Sequence, residues 1–219
     1  SLGTSYSTGV WECKALGSKI LFVTGGSGGT HLWVSDGTAA GTFVIAAGAG
    51  KLILMGDHMY FLTRDSLGNR TLWGSDGTTL GTLPIRSWPA FPNPDYPPME
   101  LATTGDVLVF SAPSGAGAVL WISDDTAGGT TQIKDIWPGA PSSSPHGLAS
   151  AQGRVFFLAG DPTIGVEPWV TDGTAAGTRS FGDLNPKDYY LPSDMLPVAV
   201  GEDAYFPTGR TEQGKPTTL

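Results

Sequence analysis

Four aspartates, Asp36, Asp76, Asp124 and Asp172, stand in nearly the same company, each two residues before a threonine. Carboxylates recurring in this way could hold a metal or move protons. Calcium loops, however, place oxygen ligands at alternate positions, and this pattern offers one recurring carboxylate per copy. Catalytic carboxylates need unequal environments, whereas repeat-related positions are equivalent. An aspartate at a strand end also accepts hydrogen bonds from backbone N–H groups two residues on, which fixes a turn. The four aspartates are therefore read as structural turn residues, with no metal and no cofactor expected.

Side chains suited to a ligand lie in stretches that do not recur. SWPAFPNPDYPP carries Trp88, Asp95 and Tyr96, IWPGAPSSSPHG carries Trp137, and DLNPKDYYLPSD carries Asp188, Tyr189 and Tyr190. Aromatic faces on proline-stiffened loops stack on the apolar face of a pyranose, and carboxylates accept its hydroxyl protons. These seven residues are the candidate ligand-binding set. The plainer reading is that the rings cap sheet edges, which fits Trp137 best because it directly follows a strand. Tyr189 and Tyr190 are adjacent on a strand-like segment and point oppositely, so at most one of them meets a ligand. The histidines His31, His58 and His146 show no metal-binding spacing, and no nucleophile elbow, phosphate loop or dinucleotide fingerprint is present. Cys13 alone forms no internal disulfide or thiolate cluster, and its alternating context, VWECKAL, suggests a buried thiol.

The elements that must position these residues are set by a repeat. THLWVSDGTAAGT at Thr30 recurs as TLWGSDGTTLGT from Thr71, VLWISDDTAGGT from Val119 and EPWVTDGTAAGT from Glu167. Its tryptophans, Trp33, Trp73, Trp121 and Trp169, are 40, 48 and 48 residues apart. An apolar run precedes each copy, KILFV, HMYFL, VLVFS and RVFFL, and a further run, DAYFP, precedes the end of the chain. The period-2 alternation predicts strands, and four-stranded units of this length are the pattern of propeller blades. The fold class expected is all-β: a five-bladed propeller of four-stranded antiparallel blades forming a single domain over 1–219. Its blades would span 10–48, 49–88, 99–137, 146–184, and 194–219 plus 1–9, with the N-terminal strand completing the last blade. Such closure removes two free sheet edges. The third copy carries Asp125 where the others have Gly37, Gly77 and Gly173; Asp tolerates a left-handed backbone, so the substitution obeys a turn.

HLWVSDGTAAGT, TLWGSDGTTLGT and EPWVTDGTAAGT resemble the bacterial repeats named for an ELWxxDGT consensus, common in large myxobacterial and other exported proteins. The resemblance covers nearly the whole chain. It departs at His31, Thr71 and Val119 in place of Glu, at Pro168 in place of Leu, and at Asp125. It implies a propeller-like protein at an extracellular or cell-surface location, and it implies no particular activity. The turn is also similar to the Asp-boxes of sialidase propellers, which are structural there.

Gly 32 and Pro 17 with only 15% charged residues suit short strands and tight turns. A net charge of -8 with 12 scattered basic residues argues against nucleic acid and anionic membranes, and no apolar run is long enough to span a bilayer. The chain begins at Ser1 without Met, as a processed or trimmed chain would. A non-enzymatic extracellular binding or adhesion module, lectin-like in its use of the aromatic and acidic loops above, is the reading favoured. Its partner would be a glycan or a cell-surface protein. The alternatives are a structural domain of a larger surface assembly and a glycoside-acting enzyme using channel carboxylates Asp57, Glu100, Asp194 and Glu202.

Overall fold

A computed structural model describes residues 9–26, 28–91, 99–115, 117–139, 142–184, 197–200 and 203–205. Every regular element among them is a strand, and the chain divides into two compact units, Ser1–Ala90 and Phe91–Leu219.

The first unit holds two antiparallel sheets. One is formed in sequence order by β1 (Val10–Leu16), β2 (Lys19–Gly26), β3 (Gly29–Ser35) and β4 (Phe43–Ala47). The other is formed by β5 (Ala49–Met55), β6 (His58–Arg64), β7 (Arg70–Ser75) and β8 (Thr82–Trp88). Because neighbours in sequence are neighbours in space, each sheet needs only hairpin connections. Leu21, Val23, Leu32 and Val34 of the first sheet pack with Leu52, Met59 and Phe61 of the second, and Trp73 lies against that cluster.

The second unit repeats the plan. β9 (Leu101–Thr103), β10 (Leu108–Ser114), β11 (Gly117–Ser123) and β12 (Thr131–Lys134) form one sheet. β13 (His146–Ala151), β14 (Arg154–Asp161), β15 (Gly165–Thr171) and β16 (Arg179–Ser180) form the next. Val109 and Leu120 of the former pack with Val155, Phe157, Ala159 and Trp169 of the latter. The fifth unit differs from expectation: among the described residues it is the pair β17 (Val198–Val200) and β18 (Asp203–Tyr205), not a four-stranded sheet. The segments expected to complete it, 1–8 and 206–219, lie outside the described residues, so no closed ring is seen.

One cross-strand pair recurs at the centre of each sheet. Phe22 is opposite Trp33, Phe61 opposite Trp73, Phe110 opposite Trp121 and Phe157 opposite Trp169. The rings stack at 6.2 Å and 5° for Phe22–Trp33, and at 6.3 Å and 3° for Phe61–Trp73. Such pairs contribute about 0.5–1.5 kcal/mol beyond the area they bury. A bulge sits beside the tryptophan in three sheets, at Leu32/Trp33, Leu72/Trp73 and Leu120/Trp121. It re-aims the last strand of each sheet at the same place.

Cys13 is exposed, contrary to the buried thiol that its alternating context suggests. It is paired with Phe22, on the same face of the first sheet as Ile20 and Val44, which are 52% and 42% exposed. Alternation reports that a strand has two faces, and here the face bearing Cys13 is the open one.

Phe61 is fully buried in the seam between two sheets. Phe61→Ala is expected to destabilise the protein by about 3–5 kcal/mol in denaturant titration, the range for removing a buried aromatic ring.

Candidate functional site

The recurrent aspartates come first, because their geometry decides what remains for a ligand. Asp36 Oδ1 accepts the backbone N–H of Thr38 at 2.9 Å and its hydroxyl at 2.7 Å. That hydroxyl oxygen in turn accepts the N–H of Gly41 at 2.9 Å. The Thr42 hydroxyl donates to the Thr38 carbonyl at 2.6 Å and lies 2.7 Å from Ser35 Oγ. A hydroxyl has one proton, so Ser35 is the donor to Thr42, and it accepts the N–H of Gly37 at 3.1 Å. Two short relays thus bind the end of β3 to the start of β4.

The same set appears at Asp76 with Thr78 and Thr82, at Asp124 with Thr126 and Thr130, and at Asp172 with Thr174 and Thr178. Asp125 occupies the first glycine position with φ 76, beside values of 90, 76 and 92 at Gly37, Gly77 and Gly173. The second glycine has a different cause. A Cβ at Gly41, Gly81, Gly129 or Gly177 would overlap the carboxylate of Asp36, Asp76, Asp124 or Asp172. The hydrogen bonds from threonine hold all four carboxyls below their ordinary range. The hydroxyl contributes most at Asp76, Asp124 and Asp172, and the backbone N–H most at Asp36.

The carboxylates considered for catalysis sit in other surroundings. Both oxygens of Glu100 are engaged, accepting the N–H groups of Gly147 at 2.9 Å and Leu148 at 2.7 Å. Glu12, at the same repeat position, accepts the N–H of Leu52 at 3.1 Å. Glu12 thus ties the first strand of its sheet to β5, and Glu100, just before β9, ties its sheet to β13. Asp57 stands in the exposed β5–β6 turn, 2.8 Å from His58 Nδ1. Asp194 and Glu202 lie outside the described residues.

Of the ligand-binding candidates, Asp95, Tyr96, Asp188, Tyr189 and Tyr190 also lie outside the described residues. Trp137 is half-buried with its ring over Gly160, where a Cβ would be 3.2 Å from the ring carbons. Trp88 is buried at 5% exposure, and the Arg86 guanidinium lies 5.8 Å from its ring centroid.

Around Trp88 the structure gathers residues that the sequence reading passed over. Arg64 ends β6, Arg70 begins β7 and Trp88 ends β8; Arg64 is directly paired with Arg70, and Arg70 with Trp88. Arg86 is paired with Leu72, one step along the same face. Burial and the charge of Arg64 push the Arg70 guanidinium below its ordinary value. The hairpin beside them is closed by Asp65, which accepts the N–H groups of Leu67 and Asn69 and the Asn69 side-chain amide. The sequence signal was present: three of the six arginines fall in one repeat, at positions where no other repeat has arginine.

No protein-family model and no curated protein matches the chain. Several solved structures are similar to it. The β-propeller domain of the Trilobed protease from Pyrococcus furiosus, described as having an open velcro topology, aligns at TM-score 0.58 and 13% identity, covering 95% of this chain and 70% of that one. Puromycin hydrolase aligns at 0.55 and 18%, covering 90% and 33%. Pyrococcus horikoshii acylaminoacyl peptidase aligns at 0.54 and 14%, covering 90% and 35%. The chain thus spans about a third of the length of the last two. At these identities the likeness shows the fold alone, which is of the β-propeller type.

The lowered carboxyl values fix the sign of a pH effect. A carboxyl whose folded value lies below its unfolded value stabilises the fold above the unfolded value, and that contribution is lost as pH falls through the folded one. Thermal stability is therefore expected to drop below the ordinary value of 3.8. Asp172→Asn, which keeps an acceptor without a titrating group, is expected to show a shallower drop in melting temperature on acidification.

Proposed function

We propose that the chain is a non-enzymatic extracellular or cell-surface binding module whose ligands are glycans. The observation that carries this reading is the internal use of the recurrent motif. Asp36, Asp76, Asp124 and Asp172 are each committed to their own turn, so the repeat builds scaffold. Recognition then falls to side chains that differ between repeats. The extracellular setting rests on the resemblance to ELWxxDGT repeats.

The scaffold we propose is a five-bladed propeller, with 1–9 completing the last blade. Two observations support it. β17 and β18 pair where a fifth unit is expected. In the second and fourth sheets Met59, Phe61, Val155 and Phe157 are fully buried, while Ile20 at the corresponding place in the first sheet is open. The first sheet has an apolar face that a further sheet would cover.

An array of neutral and acidic glycans, followed by calorimetry on the hits, tests the function. Specific binding without turnover of the bound glycan is the expected result. A silent array, together with no binding to bacterial surface polysaccharide, overturns the reading.

A further inference from the structure

The residue three places after the phenylalanine of each Phe–Trp pair is Gly25, Arg64, Pro113 and Gly160 in turn. Where it has an N–H, that group holds the segment leading into the first strand of its sheet. Gly25 donates to the Gly9 carbonyl at 3.3 Å, Arg64 to that of Gly48 at 3.0 Å, and Gly160 to that of Ser143 at 2.7 Å. In the first and fourth sheets a tryptophan ring also covers the glycine: Trp11 over Gly25, and Trp137 over Gly160. The rings arrive by different routes, Trp11 from within β1 and Trp137 from the segment before β13, so covering this place is a shared structural task. Trp137 performs it half-buried, whereas Trp11 remains 68% exposed. Capping accounts for the presence of Trp11 and leaves its exposure without a structural use.

That exposure has a local cause. β1 carries a bulge between Val10 and Glu12, and Trp11 is the extra residue. A bulge re-aims a side chain, and such devices gather where a protein binds something. Met99, which precedes Glu100 as Trp11 precedes Glu12, is buried at 7% exposure. The orientation of the ring follows from Gly25. A Cβ there would lie nearest Cζ2 and 2.5 Å from both Cε2 and Cη2, which puts it over the ring face and not beyond the ring edge. One face of the indole is therefore laid on the backbone and the other is turned outward. Gly9, where a Cβ would be 3.4 Å from the ring, and Gly26 beside Gly25 have no side chain to stand over it. The ring is also separate from the open apolar face of the first sheet, because Val10 is paired with Thr24 on the face bearing Phe22.

We propose that Trp11 is a stacking platform for one ring of a neutral, β-linked hexopyranose glycan, with the Thr30 hydroxyl beside it to meet the sugar's own hydroxyls. This deepens the binding-module reading and rests on it. An indole face matches the C–H face of a pyranose in size and flatness, and a tryptophan fixed in advance loses little freedom on binding. Thr30 is directly opposite Gly25, on the face that the ring covers, and half-buried. Its hydroxyl can donate and accept, as the hydroxyls of a sugar require. An uncharged sugar suits this chain, because 20 acidic residues against 12 basic ones repel a polyanion.

The test is calorimetric titration of the full chain with the β-1,4-linked hexamers of glucose and of galactose, followed in parallel by tryptophan fluorescence. Binding of at least one, with a change in emission, is the expected result. Trp11→Ala should weaken it roughly tenfold or more, and Trp11→Phe, which keeps a smaller ring, by less. Gly25→Ala keeps the tryptophan but places a methyl where its ring lies, and should weaken binding as Trp11→Ala does. Leu80→Ala removes a side chain that is 90% exposed and should leave binding unaltered. The melting temperature of Trp11→Ala should stay close to the parent's, which separates lost binding from lost folding. Binding undiminished in Trp11→Ala and Gly25→Ala overturns the platform while leaving the binding-module reading in place. Equal weakening by Leu80→Ala overturns it as a general loss of apolar surface. Self-association that Trp11→Ala abolishes overturns it too, by making the ring a contact between copies. Failure to bind either hexamer overturns the platform, and the glycan array then decides whether the wider reading falls with it.

Discussion

The structure depends on one small device: an aspartate that takes both the N–H and the O–H of the threonine two residues along. Neither bond is unusual alone, since a charge-assisted hydrogen bond at an exposed turn contributes modestly. Their effect comes from what they orient. With its proton given to Asp36, the Thr38 hydroxyl can only accept, and it captures Gly41; with its proton given to Thr38, Thr42 must accept from Ser35. Hydrogen bonds in such chains polarise one another. The third strand of each sheet is therefore bound to the fourth at one defined angle, and the tryptophan three residues before the aspartate is aimed reproducibly.

That aim matters because sheets of this kind cannot bury both faces alone. Trp73 and Trp169 complete seams between consecutive sheets, stacked on Phe61 and Phe157. Lysines finish the same seams: Lys19 donates to the Gly77 carbonyl and Lys134 to that of Thr178, each at 2.9 Å. The copies are not identical in polar detail. The indole N–H of Trp33 donates to Thr24 and that of Trp73 to Thr63, each at 2.9 Å. Ala159 occupies that place beside Trp169, whose indole N–H has no hydrogen-bond partner among the described residues. The seam tolerates this because packing, more than the indole bond, holds the ring.

What the sequence made legible follows the reach of each interaction. The Asp–Thr bond spans two residues, and Asp125 in a glycine position signals a left-handed backbone, so both could be read locally. The second glycine could not, because its requirement comes from the Asp36 carboxylate folding back over Gly41. The partner of each tryptophan was half visible, as a phenylalanine in every apolar run, but only register shows that the rings meet. Trp88 illustrates the limit on the candidate site. Its loop composition suggested an exposed platform, whereas strand pairing buries it under Arg86 and beside Arg70. Three arginines separated by up to 22 positions in sequence become neighbours only once three strands are aligned. Glu100 was visible as an acid, and its use as an acceptor for Gly147 and Leu148, 47 and 48 residues away, was not.

The central claim is that four turns of different sequence share one bonded geometry and are for that reason scaffold. Amide hydrogen exchange at Thr38, Thr78, Thr126 and Thr174 addresses it directly, because each N–H lies in an exposed turn and, among the described residues, is held by the aspartate. The account predicts slow exchange at all four, well below the rate of unstructured peptide and similar from copy to copy. Fast exchange at these amides, with the neighbouring strands protected, would contradict it.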